Sequence, residues 1–100
     1  MSARSFTLNK RRQGNITVIN HESIRYIKLH DTYVVTHNLH NRTICFNTGG
    51  YYTNTTKTAI NRYLRLIDSD ARIIQVKKQW FLVSEFANIP FHDGIRMNNV

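Results

Sequence analysis

The feature that most constrains this chain is a change of period at Gly49-Gly50. Before it, four short runs alternate apolar and polar side chains, as half-buried strands do. After it, one apolar stripe recurs at steps of three and four residues, as on an amphipathic helix. The predicted strands are 15–19, 24–29, 33–37 and 43–47. They are separated by Asn20-His21-Glu22-Ser23, by His30-Asp31, and by the four-residue segment Asn38-Leu39-His40-Asn41, all rich in residues that favour turns. Spacing of eight to ten residues between short strands marks an antiparallel meander. In the second strand, Ile24, Tyr26 and Lys28 share one face and Arg25, Ile27 and Leu29 the other. Tyr33, Phe46 and Phe81 are read as core.

Beyond the glycine pair, Thr53 or Asn54 can cap a helix over about residues 55–67. Ala59, Ile60, Tyr63, Leu64 and Ile67 form its apolar stripe. Arg72 to Val76 and Trp80 to Val83 read as a closing hairpin across Lys77-Lys78-Gln79. The predicted string is ββββ-α-ββ, an α+β fold in which one amphipathic helix packs on a curved antiparallel sheet. The domain occupies 15–84, preceded by a basic arm at 1–14 and followed by a loosely docked tail at 85–100. No repeat of 20–50 residues is present.

Charge narrows the function classes. Fourteen Lys and Arg against six Asp and Glu give +8, and an isoelectric point near 10.2. That is the electrostatic footprint of a nucleic-acid binder; an acidic protein partner would satisfy the same charge. Cys45 is the single cysteine, which excludes an intrachain disulfide and a cysteine-based zinc site. No apolar run approaches the roughly 18 residues of a membrane span, and the basic N-terminus is followed by no apolar signal core. A cytoplasmic protein that needs no cofactor and no metal is expected. Exposed sheet edges leave a homodimer open.

The candidate contacts fall in two groups. Arg4, Lys10, Arg11 and Arg12 sit on the arm. Lys57, Asn61 and Arg65 recur at four-residue steps on the helix with Arg62 beside them, and no acid occurs between Asp31 and Asp68. Such a face can lie along a phosphate backbone. The Gly49-Gly50 turn and the Thr-rich helix start expose backbone N–H groups to which Thr53, Thr55 and Thr56 add hydroxyls, an arrangement that favours an anion. It lacks the phosphate-loop spacing, and an ordinary strand-to-helix turn with capping is the plainer explanation. Tyr51, Tyr52 and Trp80 are the aromatics expected to be exposed for base stacking. His37 and His40 would be the residues of a small nuclease, but no acid or cysteine accompanies them at ligand spacing, and a non-enzymatic protein is expected.

The stretch Thr48-Gly49-Gly50-Tyr51-Tyr52-Thr53-Asn54-Thr55-Thr56-Lys57, followed by Asn61, resembles a pattern in small bacteriophage proteins. Leu29 to Val35 and Val76 to Val83 resemble the same group, so the likeness spans about 24–83. In that group the aromatic after the glycine pair is often Trp; here it is Tyr51. Its members mostly have no assigned function. The resemblance implies a viral origin and carries no mechanism and no site residues; with the cytoplasmic reading above, the expected location is the host cytoplasm. Two roles follow for a small basic phage protein: binding DNA or RNA, or blocking a host or defence complex such as a CRISPR effector by occupying an acidic surface.

Overall fold

The computed structural model describes residues 16–98; the arm, with Arg4, Lys10, Arg11 and Arg12, lies outside them. Four strands form the expected meander: β1 (Ile16–His21), β2 (Ile24–Leu29), β3 (Thr32–Asn38) and β4 (Thr43–Phe46). The helix α1 (Asn54–Leu66) follows, then β5 (Arg72–Val76), β6 (Gln79–Ser84), β7 (Ala87–Pro90) and β8 (Arg96–Asn98). The class is α+β, with every strand pair antiparallel. The strands divide into a five-stranded sheet ordered β1-β2-β3-β4-β8 and a three-stranded sheet ordered β5-β6-β7.

The helix packs against β3 of the first sheet and β5 of the second. Its stripe of Ala59, Ile60, Tyr63 and Leu64 meets Ile27, Leu29, Val35, Ile44 and Phe46 from one sheet and Ile73 and Leu82 from the other. Arg25 shares the helix-facing side of β2 with Ile27 and Leu29, and donates to the Tyr63 hydroxyl.

Two aromatics expected in the core lie outside it, each for a reason of strand parity. Ile27 pairs with Val35 but Lys28 pairs with Tyr33, so Val34 is an extra residue in β3. This β-bulge lets adjacent Val34 and Val35 both face the core. It also turns Tyr33 outward to 46 % exposure, where its ring lies 5.3 Å from that of Tyr26. In β6, Trp80 and Leu82 point inward, so Phe81 between them takes the outer face and is only partly buried.

The stretch after Ser84 is not loosely docked. β7 pairs with β6 and β8 pairs with β4. Between them Phe91 and Ile95 are buried. Phe91 N–H donates to Trp80 O, Gly94 N–H to Phe46 O, and Phe46 N–H to Ile95 O. Strands of three and four residues with single buried anchors are too short to show a period.

Candidate functional site

The glycine turn is built from its own hydrogen bonds. Thr48 donates from both N–H and Oγ1 to Asp93 Oδ1, at 2.7 and 2.8 Å. Gly49 N–H donates to Asn47 Oδ1, Gly50 N–H to Thr48 Oγ1, and Tyr51 and Thr53 N–H to the carbonyls of Thr48 and Tyr51. Gly49 is required on two counts. Its φ is +65°, and a Cβ there would stand 2.8 Å from Thr32 Oγ1. Thr53 is the N-cap, accepting from Thr56 N–H at 3.2 Å. Thr56 is buried with its hydroxyl 3.1 Å from that of Thr53. Much of the expected anion cradle is therefore occupied: the N–H groups of Gly49, Gly50, Tyr51 and Thr53 already have acceptors, and Thr56 faces inward. Thr55 stays exposed.

The expected helix face is also divided. Asn61 Nδ2 donates to Ile73 O at 2.9 Å, and Asn61 Oδ1 accepts from Ile73 N–H at 2.7 Å. Its amide acts as one rung of a missing strand beside β5, and both its nitrogen and its oxygen are engaged there. Lys57 Nζ donates to Gln75 Oε1 at 3.2 Å, so it leans over the same edge. Arg65 is exposed and Arg62 partly so. Tyr51 is open at 66 % exposure, whereas Tyr52 lays its ring 5.0 Å from Trp80 and 6.0 Å from Phe91. Trp80 is 4 % exposed and is core. Its inward parity with Leu82 removes it from any stacking surface.

Sequence reasoning missed the residues at the tip of the second sheet. Val76 pairs with Gln79, so Lys77-Lys78 is the whole turn, and both residues have positive φ, 52° and 69°. A two-residue hairpin of this kind favours Asn-Gly, because a Cβ is strained in the left-handed region. Two lysines there cost about 1 kcal/mol each against that choice. The expected loop Lys77-Lys78-Gln79 is one residue too long, because Gln79 pairs with Val76 and belongs to β6. This tip lies one strand residue past Gln75, and hence beside Lys57. Asp70 and Glu85 lie at the opposite end of the same sheet, with Glu85 N–H donating to Asp70 Oδ2. Among the described residues, Lys57, Arg62, Arg65, Lys77 and Lys78 form no ion pair.

The histidines are not brought together. His37 is 4 % exposed and bonds through Nδ1 to the Tyr63 hydroxyl. Burial pushes the Tyr63 hydroxyl above its ordinary value, while the hydrogen bond and charge of Arg25 pull it back. His40 stands exposed in the β3–β4 loop, its N–H donating to Asn38 Oδ1. No group of three or more His, Cys, Asp or Glu among the described residues could hold a metal, and no helix there is long and apolar enough to cross a membrane.

A cleft of about 450 Å³ opens between the β2–β3 turn and the start of α1. It joins parts of two of the three segments that resemble phage proteins, His30 to Thr32 on one side and Thr48 to Thr56 on the other. The family model of the Kyanoviridae Gp96 protein matches residues 3–98. The chain belongs to that family of phage proteins. The match takes in both the arm and the C-terminal strands, beyond the 24–83 of the sequence resemblance. No curated protein and no solved structure is significantly similar to the chain.

Proposed function

We propose that this phage protein binds nucleic acid through a phosphate-contacting face made by Lys57, Arg62, Arg65, Lys77 and Lys78, with Tyr51 free to stack a base. Arg4, Lys10, Arg11 and Arg12 add to it on charge alone. The observation that carries the reading is the Lys77-Lys78 turn. Its residue choice opposes local stability and sets two unpaired cations on a protruding tip, as a site selected for contact does.

The test is binding to labelled single- and double-stranded DNA and RNA at about 50 and 200 mM salt. Binding should fall by orders of magnitude across that range. Lys77→Asn/Lys78→Gly should raise folding stability by about 1–2 kcal/mol yet lower the salt slope by about two, roughly one for each phosphate that a lysine no longer neutralises. Arg65→Glu should weaken binding further. Absence of binding at the lower salt would discard the reading.

A second reading, a phage inhibitor seated on a host or defence protein, is favoured by Phe86. This ring is 92 % exposed at the β6–β7 turn, and the outer face behind it carries Ile74, Phe81 and Pro90 in one cross-strand row. An exposed apolar anchor suits a protein surface with a pocket; Phe86 stands with Asp70 and Glu85 at the end of the sheet opposite the lysine tip, so the cations would meet the acidic part of that surface separately. Here Phe86→Ser should abolish a stoichiometric complex with the purified target while leaving binding to polyanions unchanged.

A further inference from the structure

We infer that the cleft between the β2–β3 turn and α1 is a second binding site, specific for an amino-bearing nucleobase. Its floor is apolar, supplied by buried Leu29 and Val34. Around it stand the side chains of His30, Asp31, Tyr51 and Thr55, all exposed and none with a hydrogen bond or ion pair among the described residues. Its volume of about 450 Å³ lies within the range of small-molecule sites. That space suits one nucleoside and not a folded partner.

The polar groups select the ligand class. An ionised carboxylate is acceptor-only, so Asp31 repels phosphate and calls for an N–H donor. The exocyclic amine of cytosine or adenine supplies one; pairing of a carboxylate with cytosine N4 is a standard contact. The Tyr51 ring offers a stacking face that any base can use. His30 and Thr55 add hydrogen-bonding capacity for the sugar or the remaining base edge. The walls are held in place before any ligand arrives. Thr32 packs on Gly49 so closely that a Cβ at Gly49 would collide with it. Thr48 is pinned to Asp93. His30 occupies the left-handed region with φ 56°, a position that turn chemistry alone would give to Gly or Asn.

The cleft shares Tyr51 with the proposed strand-binding face, whereas Lys77 and Lys78 line no part of it, so lysine variants test the two apart. The experiment is a backbone-amide NMR titration of the full chain with cytidine, adenosine and uridine, each to about 10 mM, a range that reaches millimolar affinities. Cytidine or adenosine should shift residues 30–32, Tyr51 and Thr55 far more strongly than uridine, whose lone N3–H donor is flanked by two carbonyl acceptors that the Asp31 carboxylate repels. Asp31→Ala should weaken the response about tenfold or more, the effect of losing a charged hydrogen-bond partner. Tyr51→Ala should weaken it too. Asp31 and Tyr51 are both exposed, so these variants keep the fold. Single-stranded oligo(dC), oligo(dA) and oligo(dT) of equal length separate the two sources of the base. A preference for dC or dA over dT that Asp31→Ala removes identifies a base within a strand; nucleoside binding without such a preference identifies the free nucleoside. Lys77→Asn/Lys78→Gly should weaken the oligonucleotides and spare the nucleosides, which separates failure of the phosphate face from failure of the cleft. Equal shifts with uridine, undiminished binding by Asp31→Ala, or no shift at these residues with either amino-bearing nucleoside would overturn the inference.

Discussion

Asn61 shows how a residue's partner decides its role. In the sequence it stands four residues from Lys57 and from Arg65, the spacing of a shared helix face, and it reads as a ligand-binding group. Its amide instead completes the backbone of Ile73 on the free edge of β5. The helical repeat is legible in one dimension; the strand edge that meets it is set by tertiary packing. Asn61→Leu would keep the volume but leave the Ile73 N–H and C=O without partners, at about 1–3 kcal/mol. Urea unfolding should register that loss, whereas affinity for polyanions should not change. Tyr63 makes a comparable point with pH. Burial raises its hydroxyl above the ordinary value of 10.0. Above pH 10 the unfolded chain therefore gives up this proton while the folded chain retains it, and stability falls as pH rises through the folded value. Tyr63→Phe should be less stable near neutrality, because the hydrogen bonds to His37 and Arg25 go, yet should show a shallower alkaline decline. Urea midpoints from about pH 8 to 11 decide it; an unchanged slope would mean that Tyr63 does not carry the decline.

At the scale of elements, the meander and the helix were legible because each repeats its period long enough to be counted. β2 and β5 fall on their predicted ranges and α1 is displaced by one residue. What escaped was local departure from period. The extra residue at Val34 reverses the parity of β3 and sends Tyr33 outward, and no pattern of alternation announces a bulge. The Gly49-Gly50 turn was legible as a break, but its closed hydrogen bonding depends on Asp93, 45 residues away. Its effect on α1 is simpler. Thr53 caps a helix with no acidic residue in its first turn, so the hydroxyl is the main local aid to the orphan N–H groups. Thr53→Ala should cost about 1 kcal/mol, and Thr53→Asp should restore it and add a favourable interaction with the helix dipole. A Thr53→Asp variant weaker than Thr53→Ala in thermal unfolding would contradict that account. The added charge would also reach the cleft, so the nucleoside titration of this variant reports on the two roles separately.

For the whole molecule, the C-terminal strands decide whether two sheets behave as one unit. β8 closes the edge of the first sheet at β4, β7 covers the edge of β6, and the intervening segment inserts Phe91 beside Trp80 and Tyr52. One short stretch of chain thus ties the strand that leads into the glycine turn, the aromatic cluster beneath Tyr52 and the sheet that carries Lys77-Lys78. The consequence is cooperative: removing any of these anchors should loosen the cleft and the lysine tip together. Phe91→Ala should cost about 3–5 kcal/mol, the usual loss for a buried phenylalanine. It should also speed hydrogen exchange at Phe46 and Trp80 alike, although these lie in different sheets. A chain ending at Ser84 would leave β4 and β6 with open edges, the geometry of strand-mediated association, and would lose the carboxylate that fixes Thr48. It should therefore fail to show the single unfolding transition expected of the full chain and should aggregate as it is concentrated. A monomeric 1–84 fragment that unfolds cooperatively would place the tail outside the domain after all, and would leave the Phe91 variant as the measure of how much one aromatic anchor contributes.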